Sequence, residues 1–322
     1  MITLHVEPGI TYSWDMFRQL KPPYSIALDG FVKSETRREF NGQFANFDHH
    51  DDVDRLTTRS TCEQVYMEIN MGLFDIFRKD GLPEAHLWVN DCDEDTCLAV
   101  WLLQNHELVV QNANPAINRL VACEDRLDAT GGGYPLGDTG MSRKLAWIFE
   151  LYNRARFSGA LKNMEVAAMQ GIIEATCQRI SAYTMGNWEE LPLAGNYERL
   201  GGGSDWVLVK ESGPFARRAM FAEGIKAFVS ILGRKDDNYV YSIGRRSPWV
   251  LFNLPRIMNY LNAEEYNRLA ALAPGKISLT TFQGWGPVVS GAMIGGSSRK
   301  WGSFLKPEEL IPMIELNKGM ES

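Results

Sequence analysis

Short apolar runs alternate with segments of helical periodicity through the first half of the chain. Residues 24–28 and 44–47 form short apolar runs that each end at an acidic residue, and residues 86–89 form a third run. Short runs of this kind between polar segments are typical of buried strands. Apolar residues also recur on one face of residues 59–78, which predicts an amphipathic helix.

The same pattern continues toward the middle of the chain. Thr57 or Thr58 is expected to cap the first long helix, and Asp95 the second. Since strands that alternate with helices favour a parallel arrangement, the sequence predicts an α/β fold with a doubly wound, mostly parallel sheet. The further predicted elements are a strand at 108–111 and helices at 96–106, 115–128, 141–157 and 163–184.

The composition changes between residues 186 and 203, where Gly, Pro and polar residues become frequent, and a domain boundary with a glycine linker at 201–203 is expected there. The expected organisation is a first domain over 1–190 and a second, smaller α/β domain over 200–322. The elements predicted in the second domain are strands at 206–210, 217–222, 227–232, 239–243, 277–282 and 288–294, and helices at 254–261 and 263–272.

Length and composition describe an ordinary globular protein of two domains, with 322 residues, of which 45% are hydrophobic and 23% charged. The net charge of −7 argues against a protein that coats long nucleic acids, but it is compatible with a small anionic substrate. The five cysteines form no Cys-x-x-Cys pair, which favours reduced thiols in the cytoplasm. Neither a signal peptide nor a membrane-spanning segment is expected.

The densest cluster of candidate ligands follows the second apolar run. Two of the chain's five histidines, His49 and His50, lie side by side there, with Asp48, Asp51 and Asp52 around them. An acidic His-His loop of this kind is either a solvated turn or part of a metal site. The neighbouring acidic turns favour the metal site.

Further carboxylates follow the other two apolar runs: Asp29 after the first, and Asp91, Asp93 and Asp95 after the third. Because the carboxyl ends of parallel strands meet at one edge of a sheet, these groups are expected to lie close together. Carboxylates with some imidazole are ligands that suit Mn²⁺ and Mg²⁺. For the acidic trio, an Asp-rich helix start stabilised by the helix macrodipole is the alternative interpretation.

The tripeptide Asp48-His49-His50, followed by a helix that opens with Ser60-Thr61-Cys62-Glu63-Gln64-Val65, resembles the signature of the DHH phosphoesterase superfamily. The resemblance implies a doubly wound domain with a centre of two Mn²⁺ (or Mg²⁺) ions and a smaller C-terminal domain that holds the substrate. It also implies metal-dependent hydrolysis of a small phosphorylated compound, a nucleotide or a short oligonucleotide. The sequence leaves a homo-oligomer open.

The resemblance also implies roles for individual residues. Asp48, His49 and His50 would be catalytic, with His50 facing the substrate phosphate. For the family's late aspartate, Asp138 in Asp138-Thr139-Gly140 is an alternative to Asp128. The implied metal ligands are Asp29, His49, Asp91, Asp93, Asp95 and Asp128.

The chain departs from the family pattern at the family's opening motif. The family normally opens with His-x-x-x-Asp-x-Asp, but no such motif precedes Asp48, and the nearest match, residues 90–95, lies after it and lacks the histidine. Either the motif order is rearranged, with Asp91 in place of imidazole, or the first metal subsite is degraded. A degraded site would make the protein a non-catalytic nucleotide-binding or regulatory protein.

Two segments rich in Gly, Ser and basic residues, 241–247 and 295–300, resemble the substrate-binding stretches of the family's C-terminal domain, although the usual Gly-Gly-Gly-His is absent. Glycines let backbone N–H groups approach an anion, and arginine binds phosphate oxygens in a bidentate manner. Trp285 or Trp301 could stack on a base. Solvated turns are the alternative for both segments. The predicted substrate-binding residues are Arg245, Arg246, Ser247, Gly295, Gly296, Ser298 and Arg299.

Overall fold

The computed structural model describes residues 1–51, 53–111, 114–272, 282, 284–289, 294–298 and 301–319. The chain divides into two compact units. The N-terminal unit comprises Met1–Ala129 and Asp138–Pro192, and the C-terminal unit comprises Thr130–Gly137 and Leu193–Ser322. Among the described helices, none has the length and apolar character needed to cross a membrane.

The N-terminal unit contains a five-stranded sheet in the order β1-β7-β2-β4-β3, with parallel pairing throughout except for β3, which is antiparallel to β4. Every residue of β2 and β4 is buried, as expected for parallel strands covered on both faces. A separate two-stranded hairpin, β5-β6, lies outside this sheet. The strands are β1 Ile2–Val6, β2 Ser25–Leu28, β3 Arg37–Glu39, β4 Phe44–Phe47, β5 Arg78–Lys79, β6 Leu82–Pro83 and β7 Ala85–Val89.

Helices connect these strands and complete the unit. Phe17, on the first helix, packs against Ala27 of β2 and Trp88 of β7, so that the sheet is covered by an apolar layer. The helices are α1 Trp14–Leu20, α2 Thr61–Asn70, α3 Leu73–Ile76, α4 Glu94–Gln104, α5 His106–Gln111, α6 Pro115–Ala129, α7 Thr139–Ile148, α8 Glu150–Ser158 and α9 Val166–Thr184.

Three details of the predicted helices differ in the structure. The helix predicted over 59–78 is divided into α2 and α3 at Gly72, whose φ of 96° is left-handed. Ser60, rather than Thr57 or Thr58, caps α2, and Asp93, rather than Asp95, caps α4. In both cases the capping side chain lies two or three residues from the predicted position, and its oxygen accepts a hydrogen bond from the N–H three residues ahead.

The strand predicted at 108–111 is wrong, because these residues belong to α5. A short apolar run does not distinguish a strand from a helical turn by periodicity alone. The predicted helix at 115–128 is confirmed by α6, and the predicted strands at 24–28, 44–47 and 86–89 are confirmed by β2, β4 and β7.

The described strands of the C-terminal unit form a six-stranded mixed sheet in the order β12-β13-β11-β10-β9-β8, in which only β9 and β10 pair in parallel. Its core contains Trp206, Tyr241 and Phe252. The α/β class and the mostly parallel first sheet are therefore as predicted. The elements are β8 Tyr197–Gly202, β9 Val207–Glu211, β10 Ala227–Lys235, β11 Asn238–Arg245, β12 Gly286–Val289, β13 Ile294–Gly296, α10 Ala216–Ala222, α11 Leu254–Leu272 and α12 Pro307–Asn317.

Predictions for this unit were less accurate. The segment predicted as a strand at 217–222 is the helix α10, in keeping with the helix propensity of its Ala, Arg and Met residues. A glycine linker was expected at 201–203, but Gly201 and Gly202 are the last two residues of β8. The backbone of Gly202 approaches that of Trp206 too closely to leave room for a side chain. The two predicted helices at 254–261 and 263–272 are one helix, α11. The predicted strands at 277–282 and 288–294 lie largely outside the described residues.

Candidate metal centre

The carboxyl ends of β2 and β4 place the first residues of the site. The two strands pair in parallel with Leu28 opposite Phe47, so the residues that follow, Asp29 and Asp48, leave the sheet at the same edge. The Asp29 amide extends this pairing by donating to the Phe47 carbonyl at 3.0 Å. With a φ of 51°, Asp29 adopts the left-handed conformation, which aspartate tolerates better than most residues. The chain therefore turns sharply where the carboxylate is presented.

The third strand at this edge, β7, leads into the acidic trio. Asp93 caps α4 by accepting a hydrogen bond from the Thr96 amide at 2.8 Å. Asp95, in the first turn of α4, accepts hydrogen bonds from the amides of Thr61 and Cys62 at 2.7 and 2.8 Å. These amides are at the N-terminus of α2, where unsatisfied N–H groups favour a negative charge. One carboxylate on α4 thus holds the start of α2.

His49 lies at the centre of the cluster and is fully buried, with a side-chain exposure of 0%. Its Nε2 atom is 2.7 Å from Asp128 Oδ2, 3.5 Å from Asp29 Oδ1 and 3.6 Å from Asp95 Oδ2. A ring nitrogen can carry one proton and donate it along one direction only. Three carboxylates therefore converge on an atom that can satisfy one of them at a time.

His50 is the most accessible ring of the cluster, with a side-chain exposure of 36%. Its Nε2 atom lies 2.8 Å from Asp29 Oδ1. The hydroxyls of Thr61 and Thr96 also donate to Asp29, each at 3.0 Å and each to a different oxygen. Asp29 is thereby fixed from two helix starts and from one imidazole.

Arg55, in the loop between β4 and α2, reaches into the same cluster. Its Nη2 atom donates to Asp128 Oδ2 at 2.7 Å and to the Asp128 carbonyl at 3.1 Å. The same atom lies 3.3 Å from His49 Nε2, and Nη1 lies 3.5 Å from His50 Nδ1. The guanidinium therefore brings a permanent positive charge into the cluster.

Asp48 shapes the turn that carries both histidines. Its Oδ2 atom accepts hydrogen bonds from the amides of His50 and Asp51 at 3.1 and 3.2 Å. The other oxygen, Asp48 Oδ1, and the His49 Nδ1 atom are both buried without a hydrogen-bond partner. Unsatisfied buried polar atoms are costly and require an explanation. Both atoms belong to the segment Asp48-His49-His50, which the sequence identifies as a candidate ligand motif.

The charges of the cluster perturb the pKa values of its members. Burial alone would lower the pKa of His49, but hydrogen bonds with Asp128 and Asp29 raise it to about 11. Burial raises the pKa of Asp95 to about 7, and the negative charges of Asp128 and Asp29 contribute to this rise. Burial also acts to raise the pKa of Asp29, but His50 and His49 hold it well below the usual range. Bound protons and the guanidinium of Arg55 thus balance the negative charge of the carboxylates.

These groups fit the requirements of a divalent metal. Two overlapping triads, Asp29-His49-His50 and His49-Asp95-Asp128, place their potential ligand atoms within 4.8 Å of one another. Carboxylate oxygens and imidazole nitrogens are a suitable donor set for Mn²⁺. Buried carboxylates that face one another need nearby positive charge. The buried His/Asp cluster could therefore hold one metal ion or two.

Other predicted ligands lie near or away from this cluster. Asp91 accepts a hydrogen bond from the Cys92 amide at 2.6 Å, and Asp91 and Asp93 are outside the two triads found among the described residues. Burial, followed by the charge of Asp29, raises the pKa of Asp93 well above its usual range, which shows that it is close to the cluster. Asp138 caps α7 and pairs with Arg119 on the surface. Asp128, and not Asp138, lies beside His49.

The predicted substrate-binding residues belong to the C-terminal unit. Arg245 ends β11 and donates to the carbonyls of Val250 and Phe252 at 3.4 and 3.1 Å, so it holds its own loop. The Ser247 carbonyl accepts a hydrogen bond from the Val250 amide in the same loop, and the Arg246 amide donates to the Lys226 carbonyl.

The second glycine segment is a strand and not a loop. Gly295 and Gly296 belong to β13 and pair with Ile243 and Ser242 of β11. A side chain at Gly295 would collide with the Met258 sulfur, which explains the glycine by packing. Ser298 is buried, and its hydroxyl accepts a hydrogen bond from the Trp301 amide at 3.2 Å. Arg299 lies outside the described residues.

One predicted stacking residue is also placed differently. Trp285 is buried and stacks on Tyr241 in the core of the C-terminal unit, so its ring is not presented to a base. Trp301 is partly exposed.

Sequence reasoning missed Arg55, Thr61 and Thr96. An arginine in a loop carries no periodic or motif signal, so its position could not be predicted. For Thr61 and Thr96 a signal existed, since both lie at the start of a helix that follows a ligand-bearing segment. Hydroxyls at such positions commonly orient the ligands themselves.

Comparisons with family models, with curated proteins and with solved structures find no match for this chain. The site must therefore be interpreted from its own geometry.

Proposed function

We propose that the protein is a metal-dependent phosphoesterase, similar to the DHH superfamily, that hydrolyses a small phosphorylated compound, a nucleotide or a short oligonucleotide. The observation that carries this proposal is the His/Asp cluster, in which Asp29 and His49 follow the carboxyl ends of the parallel strands β2 and β4 and are joined by Asp95 of α4 and Asp128 of α6. Ligand sites of open α/β sheets lie at this edge. The order of the motifs Asp48-His49-His50 and Ser60–Val65 supports the same class.

Asp29, His49, Asp95 and Asp128 would hold one Mn²⁺ or Mg²⁺ ion, or two if Asp29 binds one ion and the triad His49-Asp95-Asp128 the other. Such ions supply Lewis acidity toward water and toward phosphate oxygens. Asp93 caps α4 and Asp91 accepts a hydrogen bond from the Cys92 amide, so neither is assigned as a direct ligand. Both would add negative charge around the cluster.

His50 is the residue best placed to meet a phosphate. It is partly exposed, and Asp29 at 2.8 Å contributes to raising its pKa against the opposing effect of burial. A protonated ring donates a charge-assisted hydrogen bond to a phosphate oxygen. Asp48, which the resemblance groups with the catalytic residues, would act by positioning, because it fixes the backbone of His50.

We also propose that the C-terminal unit binds phosphate. Because Arg245 is engaged with the carbonyls of its own loop, we assign phosphate binding first to Arg246. Ser247, Gly295, Gly296, Ser298 and Arg299 remain candidates on the basis of the resemblance.

The test is hydrolysis by metal-stripped protein after addition of Mn²⁺, with bis(p-nitrophenyl) phosphate, pyrophosphate and a dinucleotide as substrates. Turnover that requires Mn²⁺ and is lost in His49→Ala is the expected result. Equal Mn²⁺-dependent rates in wild type and His49→Ala would refute the assignment of this site.

A non-catalytic nucleotide-binding or regulatory protein is the second candidate. It is favoured by Asp95, because both of its oxygens are engaged by backbone amides of α2 and are less free to bind an ion. This alternative predicts that a nucleotide binds in the presence of Mn²⁺ without being hydrolysed.

A further inference from the structure

The guanidinium of Arg55 makes direct contacts with ligand atoms of one of the two triads. Its Nη2 atom is 2.7 Å from Asp128 Oδ2 and 3.3 Å from His49 Nε2, and these are two of the three ligand atoms of the triad His49-Asp95-Asp128. The side chain is buried, with an exposure of 9%. A positive nitrogen therefore contacts two of the three atoms that a metal ion on this triad would need.

The hydrogen-bond donors of Arg55 are not all matched by acceptors. Arginine has only donors, so its Nη2 atom can bond to His49 Nε2 only when that nitrogen carries no proton. The hydrogen bond from His49 Nε2 to Asp128, at 2.7 Å, requires that proton. In addition, the Nε atom of Arg55 is buried without a partner. The guanidinium is thus held mainly by the charge of the carboxylates.

The other triad is less affected by Arg55. Asp29 Oδ1 and His50 Nε2 face each other at 2.8 Å, and Arg55 meets the opposite ring nitrogen of His50, Nδ1, at 3.5 Å. An ion bound at Asp29 would not have to displace the guanidinium from Asp128. The two triads therefore differ in whether the Arg55 guanidinium is paired with one of their carboxylates.

We propose that Arg55 competes with the second metal ion: in the metal-free protein its guanidinium contacts His49 and Asp128 of the triad His49-Asp95-Asp128, and it must withdraw before an ion binds there. This inference rests on the proposed metal centre. It predicts sequential binding, with one ion bound tightly at Asp29 and the second bound weakly at the triad His49-Asp95-Asp128. The occupancy of the second position, and with it the activity, then depends on the concentration of free divalent metal.

The main experiment is calorimetric titration of the metal-stripped full chain with Mn²⁺, comparing wild type with Arg55→Gln. Arg59→Gln is the matched control, because Arg59 is largely exposed and pairs with Glu63 one turn along α2. We expect one tight and one weak site in wild type and in Arg59→Gln. In Arg55→Gln the second site should tighten by about tenfold or more, within the range seen when groups around metal ligands are changed.

The possible results separate the two proposals. Identical second-site affinities in wild type and Arg55→Gln, or a single site in both, would overturn the role of Arg55 and leave the metal centre intact. Absence of Mn²⁺ binding in every variant would overturn the metal centre and the role of Arg55 together.

A second measurement uses wild-type protein only, so it does not depend on the folding of a variant. Phenylglyoxal modifies accessible arginines, and peptide mass spectrometry reports the extent of modification at Arg55. We expect protection in the metal-free protein and increased modification at Mn²⁺ concentrations that fill the second site, with Arg59 modified equally in both states. Equal protection of Arg55 with and without Mn²⁺ would contradict its withdrawal.

Discussion

Buried carboxylates occur in both units of this protein, but their surroundings differ. In the C-terminal unit, Glu265 on α11 is almost fully buried. It accepts hydrogen bonds from Trp285 Nε1 at 3.3 Å, from the Phe304 amide at 3.1 Å and from the Ser303 hydroxyl. One carboxylate meets three neutral donors, and this arrangement links α11 to the segment before α12.

In the N-terminal unit, the buried Asp29 and Asp95 and the partly buried Asp128 converge on one ring nitrogen of His49, and that nitrogen can satisfy only one of them. A guanidinium and shifted pKa values compensate the rest of the charge. The comparison teaches that burial of a carboxylate does not by itself indicate function. Neutral donors alone surround Glu265, which is therefore a structural element, whereas the aspartates around His49 also face one another, and facing carboxylates indicate a site for cations.

The largest effect should follow from removing the shared ligand of the two triads. We expect His49→Ala to reduce Mn²⁺-dependent hydrolysis by at least about 1000-fold, which corresponds to the several kcal/mol of charge stabilisation that a metal centre supplies. Initial rates with bis(p-nitrophenyl) phosphate measure this loss. His86→Gln, which changes a histidine on β7 outside the cluster, should retain activity. A similar loss in both variants would show that the effect is structural.

Glu265→Ala should affect stability and not metal binding. The substitution leaves the donors of Trp285, Ser303 and Phe304 without their acceptor, and each such group costs about 1–3 kcal/mol. We therefore expect the free energy of unfolding to fall by about 3 kcal/mol in urea denaturation, with unchanged affinity for Mn²⁺. Glu308→Ala, at an exposed position in the first turn of α12, is the control and should cost much less. Weakened Mn²⁺ binding in Glu265→Ala would contradict a purely structural role for Glu265.

Metal loading should stabilise the protein through the N-terminal cluster. A ligand that binds only the folded state contributes about 2.7 kcal/mol at a free concentration of about 100 times its Kd. We expect the melting temperature of wild type to rise with Mn²⁺ and to return after addition of a chelator, and His49→Ala to show little response. An equal rise in His49→Ala would place the bound ion elsewhere in the chain.

The smallest effect concerns the pH dependence of stability. Burial raises the pKa of Glu265 above its ordinary value of 4.5. The folded state then binds more protons than the unfolded state between these two values, so the contribution of Glu265 to stability falls as the pH rises through that window. Glu265→Gln should remove this contribution, and the variant should gain stability relative to wild type as the pH rises. A constant difference between the two proteins across the window would contradict this reasoning.

Much of the fold was predictable because local patterns and tertiary structure agree. The apolar runs at 24–28, 44–47 and 86–89 are strands β2, β4 and β7, and their parallel pairing brings Asp29 and Asp48 to one edge. The segments 108–111 and 217–222 were assigned the wrong element, because short apolar runs fit either a strand or a helical turn and only their packing decides.

The candidate site was less completely predictable. Asp29, His49 and Asp95 could be expected near one another, since each follows the end of a parallel strand. Nothing in the sequence indicated that Asp95 would hold the first amides of α2, or that Arg55 would enter the cluster. These contacts join segments far apart in the chain, and no local pattern encodes them.

The sequence by itself determined the α/β class, the strands that carry the ligand motif and the residue types that can bind a divalent ion, because periodicity and composition are local properties. Tertiary structure alone decided that Asp128 and not Asp138 lies beside His49, and that Arg55 lies on the same atoms that a metal ion would use. The reason is physical: the balance of charge in a buried cluster depends on distances between side chains from separate elements, and the folded chain sets those distances.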